Sequence, residues 1–103
     1  MARLIRSPLA RRDIVDVLGR TRDRWGEAQA LEYRDLIRDA LKAIAADPSC
    51  GKVRGVRPGI LSHHIKQPGR NARHIVFYRV ATTGAVEIVR LLHDSMDFDQ
   101  HLP

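Results

Sequence analysis

A lone glycine, Gly26, divides two stretches that each repeat apolar residues at helical spacing. On its N-terminal side, residues 8–25 place Ile14, Val17, Leu18 and Trp25 on one stripe. Arg11, Arg12, Asp16, Arg20 and Asp23 take the opposite side. On its C-terminal side, Tyr33, Ile37, Ala40, Leu41 and Ile44 form the stripe of a helix predicted over Glu27 to Ala46. Glycine accepts the positive-φ geometry that ends helices. A joint this short folds two such helices back on each other as an antiparallel hairpin. Apolar stripes are core before they are anything else, so Trp25 is read as a core anchor at the joint.

The boundaries of both helices are written in the chain. Ser7 can cap the first free amides, and Pro8 suits the first helical position. No Glu or Gln stands three residues after Ser7, so no capping box forms. Asp35–Arg38 and Asp39–Lys42 are favourable three-apart pairs on the solvated face of the second helix. Pro48 ends that helix, because the residue before proline avoids helical geometry.

The remainder changes period. Residues 49–59 form a basic connector with Lys52, Arg54 and Arg57, and residues 3–6 are a short extended stretch. Residues 60–67 alternate Leu61, His63 and Ile65 against Ser62, His64 and Lys66, as a half-buried strand does. Pro68-Gly69 has type II turn chemistry. Ala72–Ala81 is apolar on both faces through Ile75-Val76-Phe77-Tyr78, so it is a central strand. Thr82-Thr83-Gly84 turns the chain into a last strand over Ala85–Leu92, and the acidic tail from His93 to Pro103 is expected as a turn or short helix on the surface. The order β-α-α-β-β-β defines an α+β domain over residues 1–103, with the helical hairpin packed on one face of a mostly antiparallel sheet.

Fifteen of the eighteen basic residues are arginine, in a chain of net charge +6. Arginine forks match carboxylates and phosphates in two-point fashion. The partner is therefore nucleic acid or an acidic protein, unless the charge is only a solvated basic surface. Cys50 stands alone, so no internal disulfide forms, and it reads as inert. No run approaches the roughly 18 apolar residues of a membrane span. The start Met1-Ala2-Arg3-Leu4-Ile5-Arg6 lacks the apolar block of a secretory signal, so the expected location is cytoplasmic.

Several segments together resemble the ParE branch of the RelE/ParE toxins. They are Ser7-Pro8-Leu9-Ala10, Arg24-Trp25-Gly26-Glu27-Ala28-Gln29-Ala30, Asp47-Pro48, Arg57-Pro58-Gly59, His74-Ile75-Val76-Phe77-Tyr78-Arg79-Val80, and Leu91-Leu92-His93 followed by Met96-Asp97. The marks run in order along nearly the whole chain. The resemblance implies the RelE/ParE fold and a non-enzymatic toxin that binds and stalls DNA gyrase. It also implies a co-encoded ParD-like antitoxin, and no cofactor. Arg57, Arg79, Arg90 and His93 are the residues expected to meet the target. The alternative for Arg79 and Arg90 is packing against helix carboxylates. Leu18, Tyr33, Ile37 and Leu41 are expected to line the antitoxin's groove, some of them facing the toxin's own sheet instead. The family's arginine before Met96 is replaced here by Ser95.

The alternative within the superfamily is a RelE-like mRNA endonuclease, ribosome-dependent or free. Such a site needs a base, an acid and cations around the phosphate. Arg57, Tyr78, Arg79, Arg90 and His93 are the groups available. Against it, Ile75 stands where the nucleases offer an arginine, and Asp94 and Asp97 would repel an RNA phosphate. Phe98 cannot move a proton. His63 and His64 are strand neighbours that point to opposite faces, so they do not converge on a metal; His63 is expected half-buried and His64 exposed. No nucleophile elbow or phosphate-cradling glycine loop is present. No helix carries the clustered basic edge of a DNA-recognition element, so no direct nucleic-acid specificity is expected.

Overall fold

The structure is a computed structural model that describes residues 1–67 and 70–103. The Pro68-Gly69 turn lies outside the described residues. Strand β1 (Leu4–Arg6) leads into helix α1 (Pro8–Trp25), and α2 (Glu27–Ala46) follows directly. A 3-10 turn (Pro48–Cys50) connects to β2 (Lys52–Val53), then β3 (Leu61–Gln67), β4 (Arg70–Val80), β5 (Val86–His93) and a short α3 (Phe98–His101).

Local chemistry explains the helix ends. Ser7 is the N-cap of α1, and its side chain accepts from the Ala10 amide. The same hydroxyl donates to the Val89 carbonyl at 2.8 Å, so one residue caps a helix and fastens it to β5. Gly26 closes α1 and opens α2 at φ +96°, a backbone geometry that side chains with a Cβ rarely adopt. Asp47 caps the turn that Pro48 begins.

The sheet order is β1-β5-β4-β3-β2. Three of the four pairings are antiparallel, and β1 runs parallel to β5. β4 lies in the middle, as its two apolar faces require. The connector contributes a short strand, β2, that composition did not reveal. A bulge between Phe77 and Tyr78 shifts the register against β5. The bulge adds one residue to β5, so Val86, Ile88 and Leu91 can share the helix-facing core although strict alternation would separate them.

Two cores sandwich the sheet. The larger lies under the hairpin and holds Val17, Ile37, Leu41, Ile44, Ile65, Val76 and Tyr78 among others. The second lies on the opposite face, where Ile60, Ile75, Phe77, Val89 and Leu92 meet Leu102 and the partly buried Val56 and Phe98. The tail is therefore not only a surface turn: Leu102 is buried, and Phe98 packs on Phe77 with ring centroids 4.9 Å apart. Its three aspartates conceal this in the sequence. Ser62, expected on the solvated side of β3, is buried against this second layer and accepts from Arg54 Nε at 2.7 Å.

Candidate functional site

The hairpin covers the sheet incompletely. At the Gly26 joint the helices overhang the ends of β4 and β5, and a groove opens there. It is made of two adjoining cavities of about 470 and about 600 Å³ that share Thr21, Trp25, His74 and His93. Trp25 is 67% exposed and lies over this groove, so it is not the core anchor that its place on the stripe implied. It falls on the last turn of α1, past the sheet that the stripe packs against. The Arg24 guanidinium stacks on its ring at 5.3 Å from the centroid.

The floor of the groove is a chain of aromatic and polar rings. His74 and His93 are register partners on β4 and β5, with ring centroids 5.3 Å apart. Tyr33 reaches down from α2 and its hydroxyl lies 2.7 Å from His74 Nδ1. Burial, with His93 and Arg20 adding to it, pushes the His74 pKa down to about 4. Burial and the nearby Asp94 raise Tyr33 to about 12. His93 Nδ1 lies 2.7 Å from the Ser95 hydroxyl. The walls carry both signs of charge: Arg20, Arg24, Asp13 and Asp16 come from α1, and Arg73 from β4.

The residues singled out from the sequence are not gathered in one place. Arg90 is engaged internally. Its Nε and Nη2 donate to the two Asp13 oxygens at 2.7 and 2.9 Å, and its Nη1 donates to the His101 carbonyl. The hydrogen bond to Asp13 raises its pKa. Arg79 pairs with Glu87 on the neighbouring strand at 2.6 Å, half-exposed. Arg57 holds the tail through Asp99 and the Pro103 carbonyl. Of these four, His93 alone lines the groove. Of the apolar candidates, Ile37 and Leu41 are buried beneath the hairpin and Leu18 packs partly against the same core. Tyr33 lines the groove.

Other chemistry-bearing residues are also placed. The Tyr78 hydroxyl is buried, donating to the Pro48 carbonyl at 2.7 Å and accepting from the Gly51 amide at 2.8 Å. His63 is half-buried; His64, expected exposed, is half-buried too, its Nε2 against the Ala72 carbonyl. Burial, with Lys66 and His64 behind it, lowers the His63 pKa. Cys50 is free and exposed. No group of three or more potential metal ligands occurs among the described residues, and no helix among them is long and apolar enough to cross a membrane.

The chain is thus a basic α+β domain with a preformed groove that is part apolar and part polar. Comparison with known proteins gives the family. The family described as "ParE toxin of type II toxin-antitoxin system, parDE" matches residues 4–98. The chain is 33% identical over 102 residues to Toxin ParE1 of Mycobacterium tuberculosis, covering 98% of each chain. It is also 33% identical over 103 residues to Toxin ParE1 of Caulobacter vibrioides, with 90% of each covered. A solved structure described as the chromosomal ParDE TA system from P. aeruginosa shares its fold at a TM-score of 0.76 and 18% identity, over 90% of this chain and 96% of that one. This chain belongs to the ParE toxins of type II toxin–antitoxin systems.

Proposed function

We propose that this chain acts in the cytoplasm by binding DNA gyrase and is held inactive by a ParD-like antitoxin seated in the groove at the hairpin joint. Family membership supports the pairing with an antitoxin. The groove supports its location, because the exposed Trp25 and Met96 there are flanked by arginines that suit an acidic amphipathic segment.

One observation carries the reading as a binder rather than an enzyme. Among the groups that could run phosphodiester cleavage, Arg90, Arg57, Arg79 and the Tyr78 hydroxyl are each committed to contacts within the chain. They are spread over both faces of the sheet and its edges, so they do not surround one phosphate. The outward parts of Arg79 and Arg57, together with His93, are the proposed contacts to the target.

The test is direct. Purified protein is assayed on gyrase supercoiling and cleavage-complex formation, and in parallel on mRNA with and without ribosomes. Inhibited gyrase with intact RNA is the expected result. Cut RNA with untouched gyrase would overturn it.

A further inference from the structure

The larger cavity, about 600 Å³, lies between the hairpin joint and the ends of β3 and β4. None of its lining residues is a carboxylate, although Arg73, His74 and His93 stand in it together. The hydrogen bonds bear on what the two rings present. Tyr33 keeps its phenolic proton, and His74 Nδ1 at 2.7 Å is its one hydrogen-bond partner among the described residues. In the arrangement where the hydroxyl donates to Nδ1, the neutral His74 ring carries its own proton on Nε2. On His93, the Ser95 backbone amide donates to Nδ1 at 3.1 Å, which puts that ring's proton on Nε2 as well. Each imidazole has its acceptor nitrogen occupied. Each has an Nε2–H donor with no partner among the described residues.

The surrounding charges are mixed. From α1, Arg20, Arg24, Asp13 and Asp16 all line the neighbouring cavity, charges of both signs beside this one. Asp13 is occupied by Arg90, and Asp16 lines the neighbouring cavity and not this one. Asp94 follows β5, is paired with Arg73 at 3.1 Å and lies 3.4 Å from His93 Nδ1, so one carboxylate already borders the site. The cavity thus offers ring N–H donors and one arginine, whose Nε is engaged by Asp94, with an aromatic wall, a setting for a carboxylate on an apolar stem.

We propose that this cavity receives a carboxylate side chain carried on an apolar segment of the antitoxin, accepted by the N–H groups of His74 and His93 beside Arg73, with Trp25 lying over the segment. This rests on the antitoxin reading of the groove. Tyr33 is then a positioning residue: it acts through His74 by fixing which ring nitrogen holds the proton.

Two measurements test it separately. First, the ¹⁵N-labelled chain is titrated with isovalerate, and with isovaleramide at matched ionic strength. Saturable movement of the His74 and His93 ring resonances with isovalerate alone is expected. No movement, or equal movement with the amide, overturns the site. Tyr33→Phe should convert the His74 nitrogen pattern to a mixture of tautomers and weaken isovalerate several-fold; an unchanged pattern overturns the role of Tyr33. Second, the antitoxin produced from the adjacent reading frame is bound to wild type and to His74→Phe, with cavity protection followed by hydrogen exchange. A loss of about tenfold in affinity is expected, the scale of one hydrogen bond to a charged group. Protection of the cavity with unchanged affinity overturns the carboxylate contact and leaves the antitoxin's location standing. Isovalerate binding with the antitoxin protecting another face overturns the antitoxin as occupant.

Discussion

Asp13 and Arg90, 77 positions apart, form a two-point ion pair that also closes an open strand edge. β1 ends at Arg6, so on that edge β5 has no strand beside it beyond Ile88. Asp13 supplies the missing acceptor: its Oδ2 takes the Leu91 amide at 3.0 Å as well as Arg90. Both side chains are largely buried, at 15% and 12% exposure. Arg90→Ala would strand a carboxylate there, and a loss of about 3 kcal/mol in urea unfolding is expected. A reduced toxicity of that variant would then report folding, and should be read beside its denaturation midpoint.

Trp25 is the only tryptophan in the chain. Its exposure means that Trp25→Ala should move stability by no more than about 0.5 kcal/mol. The same substitution should weaken antitoxin binding at least tenfold, since buried aromatics dominate interfaces. In wild type, red-shifted tryptophan fluorescence should move to the blue when antitoxin binds. An emission maximum that does not move would place the partner elsewhere.

His74 gives the fold a pH dependence with a definite sign. Its folded pKa of about 4 lies below the ordinary 6.5, chiefly through burial. The unfolded chain thus takes up a proton that the folded one refuses. Stability should fall as pH drops from about 6.5 towards about 4 and gain no further loss from this group below that. His74→Gln should show a flatter acid limb than wild type in urea midpoints across that window. Parallel curves would show that the ring titrates normally.

Gly51 lies tight against the sheet. A Cβ there would meet the Tyr78 ring at 2.8 Å, and the hydroxyl more closely still. Tyr78 is fully buried and cannot swing away. Gly51→Ala should cost about 1–3 kcal/mol by overpacking, measured by thermal or urea unfolding. Tyr78→Phe, which removes both hydrogen bonds without adding volume, should restore part of that loss in the double variant. Strict additivity of the two would mean that they do not touch.

The helices and the strands β3 to β5 were legible because their signals are local. Ser7-Pro8, Gly26 and Pro48 mark ends, and the residues between them keep one period. What was missed depends on distance along the chain. Asp13 reads as one more surface acid until β5 is laid beside α1. Trp25 keeps the helical period to the last turn, but the period cannot say where the sheet beneath it stops. Leu102 and Phe98 are too few and too surrounded by aspartate to signal a second core. The groove itself was half legible: Tyr33 and His93 were named, yet nothing in the sequence joins them to His74, because that meeting needs α2, β4 and β5 at once.

The parallel pairing of β1 with β5 has a consequence for synthesis on the ribosome. Leu4, Ile5 and Arg6 find their partners only at Val86, Glu87 and Ile88. The hairpin forms early from neighbouring residues, but the strand preceding it and the edge beside Asp13 must wait for nearly the whole chain. Until then the apolar stripe of Ile37, Leu41 and Ile44 has no sheet to cover. A nascent chain of this protein therefore leaves that stripe uncovered until β3, β4 and β5 have been made. An antitoxin already present would meet an unfinished toxin before any finished one exists.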